Sequence, residues 1–147
     1  MRTKTAEWYE CKMQYLKTLD DGKEKTVTEL YVVDALSFTE AEARFIKEME
    51  PYISGESKIV AMAIARYSEI FFSEDEEDDR FFKAKVQFVT VDENTGHEKK
   101  NNIYYLVQAR DIETARYYTT KQLEGTMADF SITGLNETQI IDIFEHE

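Results

Sequence analysis

The chain has 147 residues, 42% of them hydrophobic, with nine Tyr, nine Phe and one Trp, enough to bury one compact domain or two small units sharing a core. Its net charge of −12 repels phosphate backbones on average and disfavours a general nucleic-acid binder. Cys11 is the only cysteine, which excludes an intramolecular disulfide and a cysteine-based metal site, and the longest purely apolar run, residues 59–65, is far short of a membrane-spanning helix.

The opening MRTKTAEWYECK has no apolar stretch behind its basic residues, so a secretory signal is not expected and a cytoplasmic protein is. Residues 8–15 alternate Tyr9, Cys11, Met13 and Tyr15 with Trp8, Glu10, Lys12 and Gln14, the period of a half-buried strand. Asp20-Asp21-Gly22 is a turn signal, and residues 27–35, dense in Tyr, Val and Leu, return as the second strand of a hairpin. Ser37 with Glu40 three residues on forms a capping box, and Phe38, Ala41, Phe45 and Met49 share one helical face before Pro51 stops the helix. Residues 58–72 form a strand or a bent pair of strands.

Residues 73–80, SEDEEDDR, hold six acids and one Arg, and are expected to be a solvated acidic linker. The pattern then recurs. Residues 81–88 alternate Phe82, Ala84, Val86 and Phe88 with Phe81, Lys83, Lys85 and Gln87, and Asn94-Thr95-Gly96 turns the chain into a strand over 103–109. Asp111 takes the N-cap place of a weaker helix with Ile112, Ala115, Tyr118 and Leu123 apolar but β-branched Thr119 and Thr120 in its middle; Gly125 ends it. The last segment, 130–144, is again a strand or a bent pair of strands, and Gly134 and Asn136 within it predict a bulge or tight turn.

The recurrence is collinear. WYECKMQY (8–15) meets FFKAKVQF (81–88), with an aromatic for every aromatic and identical Lys12/Lys85 and Gln14/Gln87. YVVDALSFTEA (31–41) meets YLVQARDIETA (105–115), and EIF (69–71) meets DIF (142–144). The expected fold is α+β: two tandem ββαβ units related by pseudo-twofold symmetry, mainly antiparallel sheet with the helices packed on it. The units are expected at 1–72 and 81–147, flanking the linker at 73–80 and sharing one core.

No catalytic motif accompanies this organisation. His97 falls in a hairpin turn and His146 in the terminal tail, neither with a nucleophile or metal-ligand partner at useful spacing. Cys11 lies on the apolar side of its strand and reads as a buried small hydrophobe. The five glycines fall at turns or element ends and make no phosphate loop, and paired acids such as Glu40/Glu42 read as hydrated surface charge. No cofactor, metal site or enzymatic activity is expected. The remaining candidates are the two outward rows, Trp8, Lys12 and Gln14 on the first strand, and Phe81, Lys83, Lys85 and Gln87 on its counterpart. Aromatic rings beside lysines on an open sheet face can stack bases and track phosphates; the same rows suit a protein partner or simple cover of the sheet.

Taken together, WYECKMQY, VTELYVVDALSFTEAEAR, YISGE and EIFFSEDEEDDRFFKAKVQF resemble a family of short proteins from Bacteroidales and their mobile elements and phages, described as domain of unknown function 4494. The resemblance runs over nearly the whole chain. It implies a bacterial or phage cytoplasm and brings no activity, cofactor or catalytic residue. The sequence therefore favours a non-enzymatic accessory or adaptor protein that binds another protein through its sheet face or edge, as a monomer or homodimer, with no membrane span. The alternative is a single-stranded nucleic-acid binder using the two rows.

Overall fold

A computed structural model describes residues 6–145. In chain order the elements are β1 (Glu7–Thr18), β2 (Glu24–Ala35), α1 (Phe38–Met49) with a 3₁₀ turn at Glu50–Tyr52, β3 (Ser57–Ala65), β4 (Glu69–Phe71), β5 (Arg80–Val91), β6 (Glu98–Ala109), α2 (Ile112–Leu123), β7 (Asp129–Glu137) and β8 (Ile140–Phe144). Antiparallel-rich sheets with two helices make the fold α+β. The chain divides into two compact units, one holding the residues up to Arg66 together with those from Gln139 on, the other Tyr67–Thr138.

In the first unit the sheet runs β3-β1-β2-β8, with β1 antiparallel to both neighbours and β8 parallel to β2. The hairpin β1–β2 turns at Gly22, whose φ of +81° is the left-handed conformation that glycine adopts without a Cβ penalty. Period-two alternation sends Tyr9, Cys11 and Met13 to one face, where Tyr31, Val33 and Ala35 of β2 join Ala41, Phe45 and Met49 of α1 in a buried cluster. Tyr31 stacks on Phe144 of β8 (5.4 Å between ring centres, 10° between planes), which ties the C-terminal strand to this core. The helix starts where its cap predicts: the Ser37 side chain accepts from Glu40 N–H at 3.1 Å. Phe38 is the exception on the expected inner face. It is half exposed and meets Tyr9 edge-on at 4.9 Å.

The second unit has the sheet order β4-β6-β5-β7, with β4 parallel to β6 and the other pairs antiparallel. Phe82, Ala84, Val86, Tyr105, Val107 and Ala109 pack under Ala115 and Leu123 of α2. Thr119, which weakens the helix by propensity, is fully buried, and its hydroxyl donates to the Ala115 carbonyl at 2.8 Å, so it serves as a small core residue with its polar atom satisfied. Ile112, expected inside, is about half exposed. Asp111 caps α2 by accepting from Thr114 N–H at 2.7 Å.

Between a strand and a bent pair of strands the structure takes the pair, and other sequence expectations change. The segments 58–72 and 130–144 are each two strands, because the chain leaves its sheet at residues 66–68 and 138–139. The unit boundary consequently falls after Arg66 rather than at 72: β4 pairs with β6 and so belongs to the second unit, and β8 pairs with β2 and belongs to the first. The strands returning from both hairpins begin earlier than expected, at Glu24 and Glu98, because pairing continues through their polar ends. The bulge expected near Gly134 is present: the β5–β7 register slips between Lys85 and Val86, leaving Thr133 extra, and the β1–β3 register slips likewise between Lys12 and Met13, leaving Val60 extra.

Candidate functional site

β3 is an edge strand, and its composition is unlike that of other edges. Its sequence, SKIVAMAIA, carries one charge, at Lys58, and no proline, and Val60 and Ile64 are 43% and 37% exposed. An edge presents a row of backbone N–H and C=O groups ready to pair with another chain, and proteins ordinarily blunt it with charges, proline or short length. The equally long edge β7, DFSITGLNE, follows that rule with Asp129, Asn136 and Glu137, whereas β4 has three residues and β8 has five.

The helix side of β3 is bordered by a recess. Register places Ile64 opposite Tyr9, Met62 opposite Cys11 and Ile59 opposite Met13, so these three side chains face α1. Met62 and Ile59 pack partly into the core cluster. A cavity of about 360 Å³ opens where Ile46, Met49 and Glu50 at the end of α1 approach Ile53, Ser57 and Ile59. The opposite flank of α1 is held down on β2, since Arg44 forms an ion pair with Asp34 at 2.5 Å and also donates to the Asp34 backbone carbonyl. Ile46 lies about 200° around the helix from Arg44, which turns it and its stripe-mate one turn earlier, Glu42, toward β3. On the far face of β3, Ala61 and Ala63 lie opposite Lys12 and Glu10, leaving little bulk against an incoming strand.

The residues singled out from sequence are distributed differently. Alternation holds, so Trp8, Lys12 and Gln14 occupy the face of β1 turned away from α1, and Phe81, Lys83, Lys85 and Gln87 the corresponding face of β5. Trp8 and Gln14 are half-buried and Lys12 is exposed. Phe81, however, is 4% exposed and offers no ring face to a base. The Lys83 ammonium lies 4.8 Å from the centre of the Tyr104 ring and 6.0 Å from that of Tyr67, a cation–π arrangement on the protein's own rings. Lys85 lies beside Gly134, where an added Cβ would stand 3.4 Å from the lysine Cβ. Gln87 is paired in register with Asn102 and Ser131. Cys11 is fully buried, and burial followed by the nearby Glu10 charge pushes its thiol up to about 12, so it is not a reactive thiolate at neutral pH. His97 is exposed in its turn; His146 lies outside the described residues.

The acidic run is exposed at residues 74–77 and 79–80, as a solvated segment is, but it lies within the second unit and is anchored at one carboxylate. Asp78 is 2% exposed and accepts from Ser73 Oγ at 2.5 Å, Tyr118 OH at 2.6 Å and Arg110 Nε at 3.0 Å. The same guanidinium binds Asp75 at 2.6 Å and Glu77 at 2.8 Å, and Gln108 accepts from Ser73 N–H at 2.9 Å. Burial alone would raise the Asp78 carboxyl, but the bonds from Ser73, Tyr118 and Arg110 outweigh it and hold the group below its ordinary value. Arg110 thereby converts a run of like charge into an ordered loop of the second unit. Its sequence signal was a lone Arg next to the N-cap Asp111, legible only once 73–80 is known to return to it. The β3 edge also had a signal, the uncharged proline-free run 59–65, which composition alone treats as too short for a membrane and leaves there.

Among the described residues no group of three or more His, Cys, Asp or Glu is arranged to hold a metal ion, and no helix is long and apolar enough to cross a membrane. A search of curated proteins finds no match. The family described as domain of unknown function (DUF4494) matches residues 7–146, nearly the full length, and the chain belongs to that family.

Proposed function

We propose that this protein is a non-enzymatic accessory protein of the cytoplasm that binds an extended segment of another protein by strand addition at β3. The observation that carries this reading is the contrast between two nine-residue edges, β7 guarded by Asp129, Asn136 and Glu137, and β3 left apolar beside the recess under Ile46. Main-chain pairing with an open edge supplies affinity, and alternate side chains entering a neighbouring recess supply selectivity. We further read the two units as divergent copies of one ββαβ plan related by pseudo-twofold symmetry. Supporting that reading are the strand orders β3-β1-β2-β8 and β7-β5-β6-β4, the positive-φ Gly22 and Gly96, and the one-residue bulges at Val60 and Thr133. On this reading one copy kept an open edge while the other acquired polar guards.

The test is selection from a displayed library of random peptides, followed by amide hydrogen exchange on the complex. The expected result is ligands that protect residues 57–65 and are lost on Val60→Lys with Ile64→Lys, both exposed positions where lysine leaves the core intact. Protection confined to the β5–β7 face around Lys83 and Lys85 overturns the edge reading. Concentration-dependent protection of 57–65 without peptide assigns the edge to a second copy of this chain instead. The nucleic-acid alternative draws its support from Lys83 and Lys85 beside Tyr104. It requires saturable single-strand binding that quenches Trp8 and weakens steeply with salt.

A further inference from the structure

We infer that the β3 recess selects a partner strand whose inward side chains alternate apolar and basic; this rests on the strand-addition reading above and specifies its partner. The geometry comes from α1 running along the strands. Its first residue, Phe38, lies against Tyr9, whose β3 partner is Ile64, and its last turn, at Ile46 and Met49, lies against Met13, whose β3 partner is Ile59. A strand added outside β3 would therefore run beside α1 for most of the helix.

The stripe turned toward that strand reads Phe38, Glu42 and Ile46 on α1, then Glu50 where the 3₁₀ turn begins, each four residues from the next. Phe38 and Ile46 are 49% and 46% exposed, Glu42 is exposed, and Glu50 lines the cavity with Ile46. Four helical residues rise about 6 Å. Alternate residues on one face of a strand are spaced about 6.7 Å apart. The two repeats nearly match over a few steps, so successive inward side chains of the bound strand meet an apolar group, a carboxylate, an apolar group and a carboxylate in turn. Two basic charges on the ligand complement Glu42 and Glu50. Lys58, in register with Gln14, also lines the cavity and offsets part of the Glu50 charge, which leaves Glu42 as the unopposed carboxylate; Lys47 lies on the next stripe of the helix. The excess of negative charge over the whole chain, −12, adds a long-range attraction for a basic segment.

The experiment uses two fluorescein-labelled synthetic peptides of about eight residues, enough to pair along β3. One places Val and Lys alternately on one face with Thr on the other; the second has Glu in place of Lys. Anisotropy is read with the full-length protein at about 20 and 500 mM salt, where screening differs severalfold in range. The Lys peptide is expected to bind roughly tenfold tighter than the Glu peptide at the lower salt, with the gap narrowing at the higher. The preference should shrink in Glu42→Gln/Glu50→Gln, and further in Glu42→Lys/Glu50→Lys, to the part that the remaining net charge supplies, whereas Glu93→Gln/Glu98→Gln, which removes the same charge from the other hairpin, should leave it nearly unchanged. Equal binding of both peptides, abolished by Val60→Lys/Ile64→Lys, overturns the charge selection and leaves strand addition standing. Binding of neither peptide overturns both. Circular dichroism of each variant verifies folding, which substitutions at these exposed helix positions should preserve.

Discussion

Replacing Asp78 tests whether the acidic run is held by one buried carboxylate or by the sum of its surface charges. Asp78 accepts three hydrogen bonds, and a bond to a charged group contributes about 1.5–3 kcal/mol. The three do not simply add in Asp78→Ala. Arg110 keeps Asp75 and Glu77 and is 37% exposed, so it rehydrates, and Ser73 Oγ still accepts from Asp75 N–H at 3.1 Å. The unrecovered part is the bonds of the half-buried Tyr118 and Ser73 hydroxyls and the cavity left by the carboxylate, which puts the cost at about 3 kcal/mol. For a chain of this length that lowers Tm by about 6–12 °C. Glu77→Gln removes a bond to the same guanidinium from a side chain that is 75% exposed, and should cost under about 0.5 kcal/mol. Urea unfolding followed by circular dichroism at several pH values separates the two. Because the folded carboxyl is held below its unfolded value, its contribution is fully present above about pH 4 and is lost as pH falls through the folded value. The gap between wild type and Asp78→Ala should therefore stay constant from pH 7 to 5 and narrow below 4. A gap that persists unchanged at pH 2, or equal costs for Asp78→Ala and Glu77→Gln, would mean that the buried carboxylate does not hold the run.

Phe45→Ala, at a fully buried ring, should cost about 3–5 kcal/mol in the same assay, whereas Phe38→Ala, half exposed and edge-on to Tyr9, should cost only about 1 kcal/mol. Ser37→Ala should cost about 1 kcal/mol through the lost bond to Glu40 N–H. Cys11 should resist a thiol-specific disulfide reagent at pH 8 and react at once when urea unfolds the chain, since its thiol is buried and pushed up to about 12; fast reaction of the folded protein would contradict its placement. Tyr15 donates to Glu29 at 2.6 Å, and burial first, then that bond, pushes its phenol up to about 12. Its stabilising contribution is present below the ordinary tyrosine value of about 10 and lost as pH rises through the folded value. Tyrosinate absorbance should show at least one phenol titrating near 12 in the folded protein and falling only part of the way back in Glu29→Gln, because burial, the larger cause, remains.

Local structure was legible in the order of the residues. Alternation of Tyr9, Cys11 and Met13 against Lys12 and Gln14 set which face of β1 is buried, because a strand has period two and a one-residue slip would expose the whole apolar set. Ser37 and Asp111 marked the helix starts through bonds that span only three residues, and Gly22 and Gly96 marked the turns through their own backbone freedom. The face carrying the candidate rows was legible for the same reason, but not the burial of Phe81 or the capture of Lys83 by Tyr104. Those depend on which rings arrive from elsewhere in the chain. Partnership between distant segments was not legible there. Nothing in EIF or IIDIF says that β4 pairs with β6 and β8 with β2, since short apolar strands match many neighbours about equally well. Asp78 in a run of six acids looks like any hydrated carboxylate until Arg110, 32 residues on, supplies the charge that makes its burial favourable. The open edge at β3 is likewise a property of sheet order: the same residues in a central strand would be core, and only the place at the end of β3-β1-β2-β8 leaves an apolar run with unpaired backbone along one side.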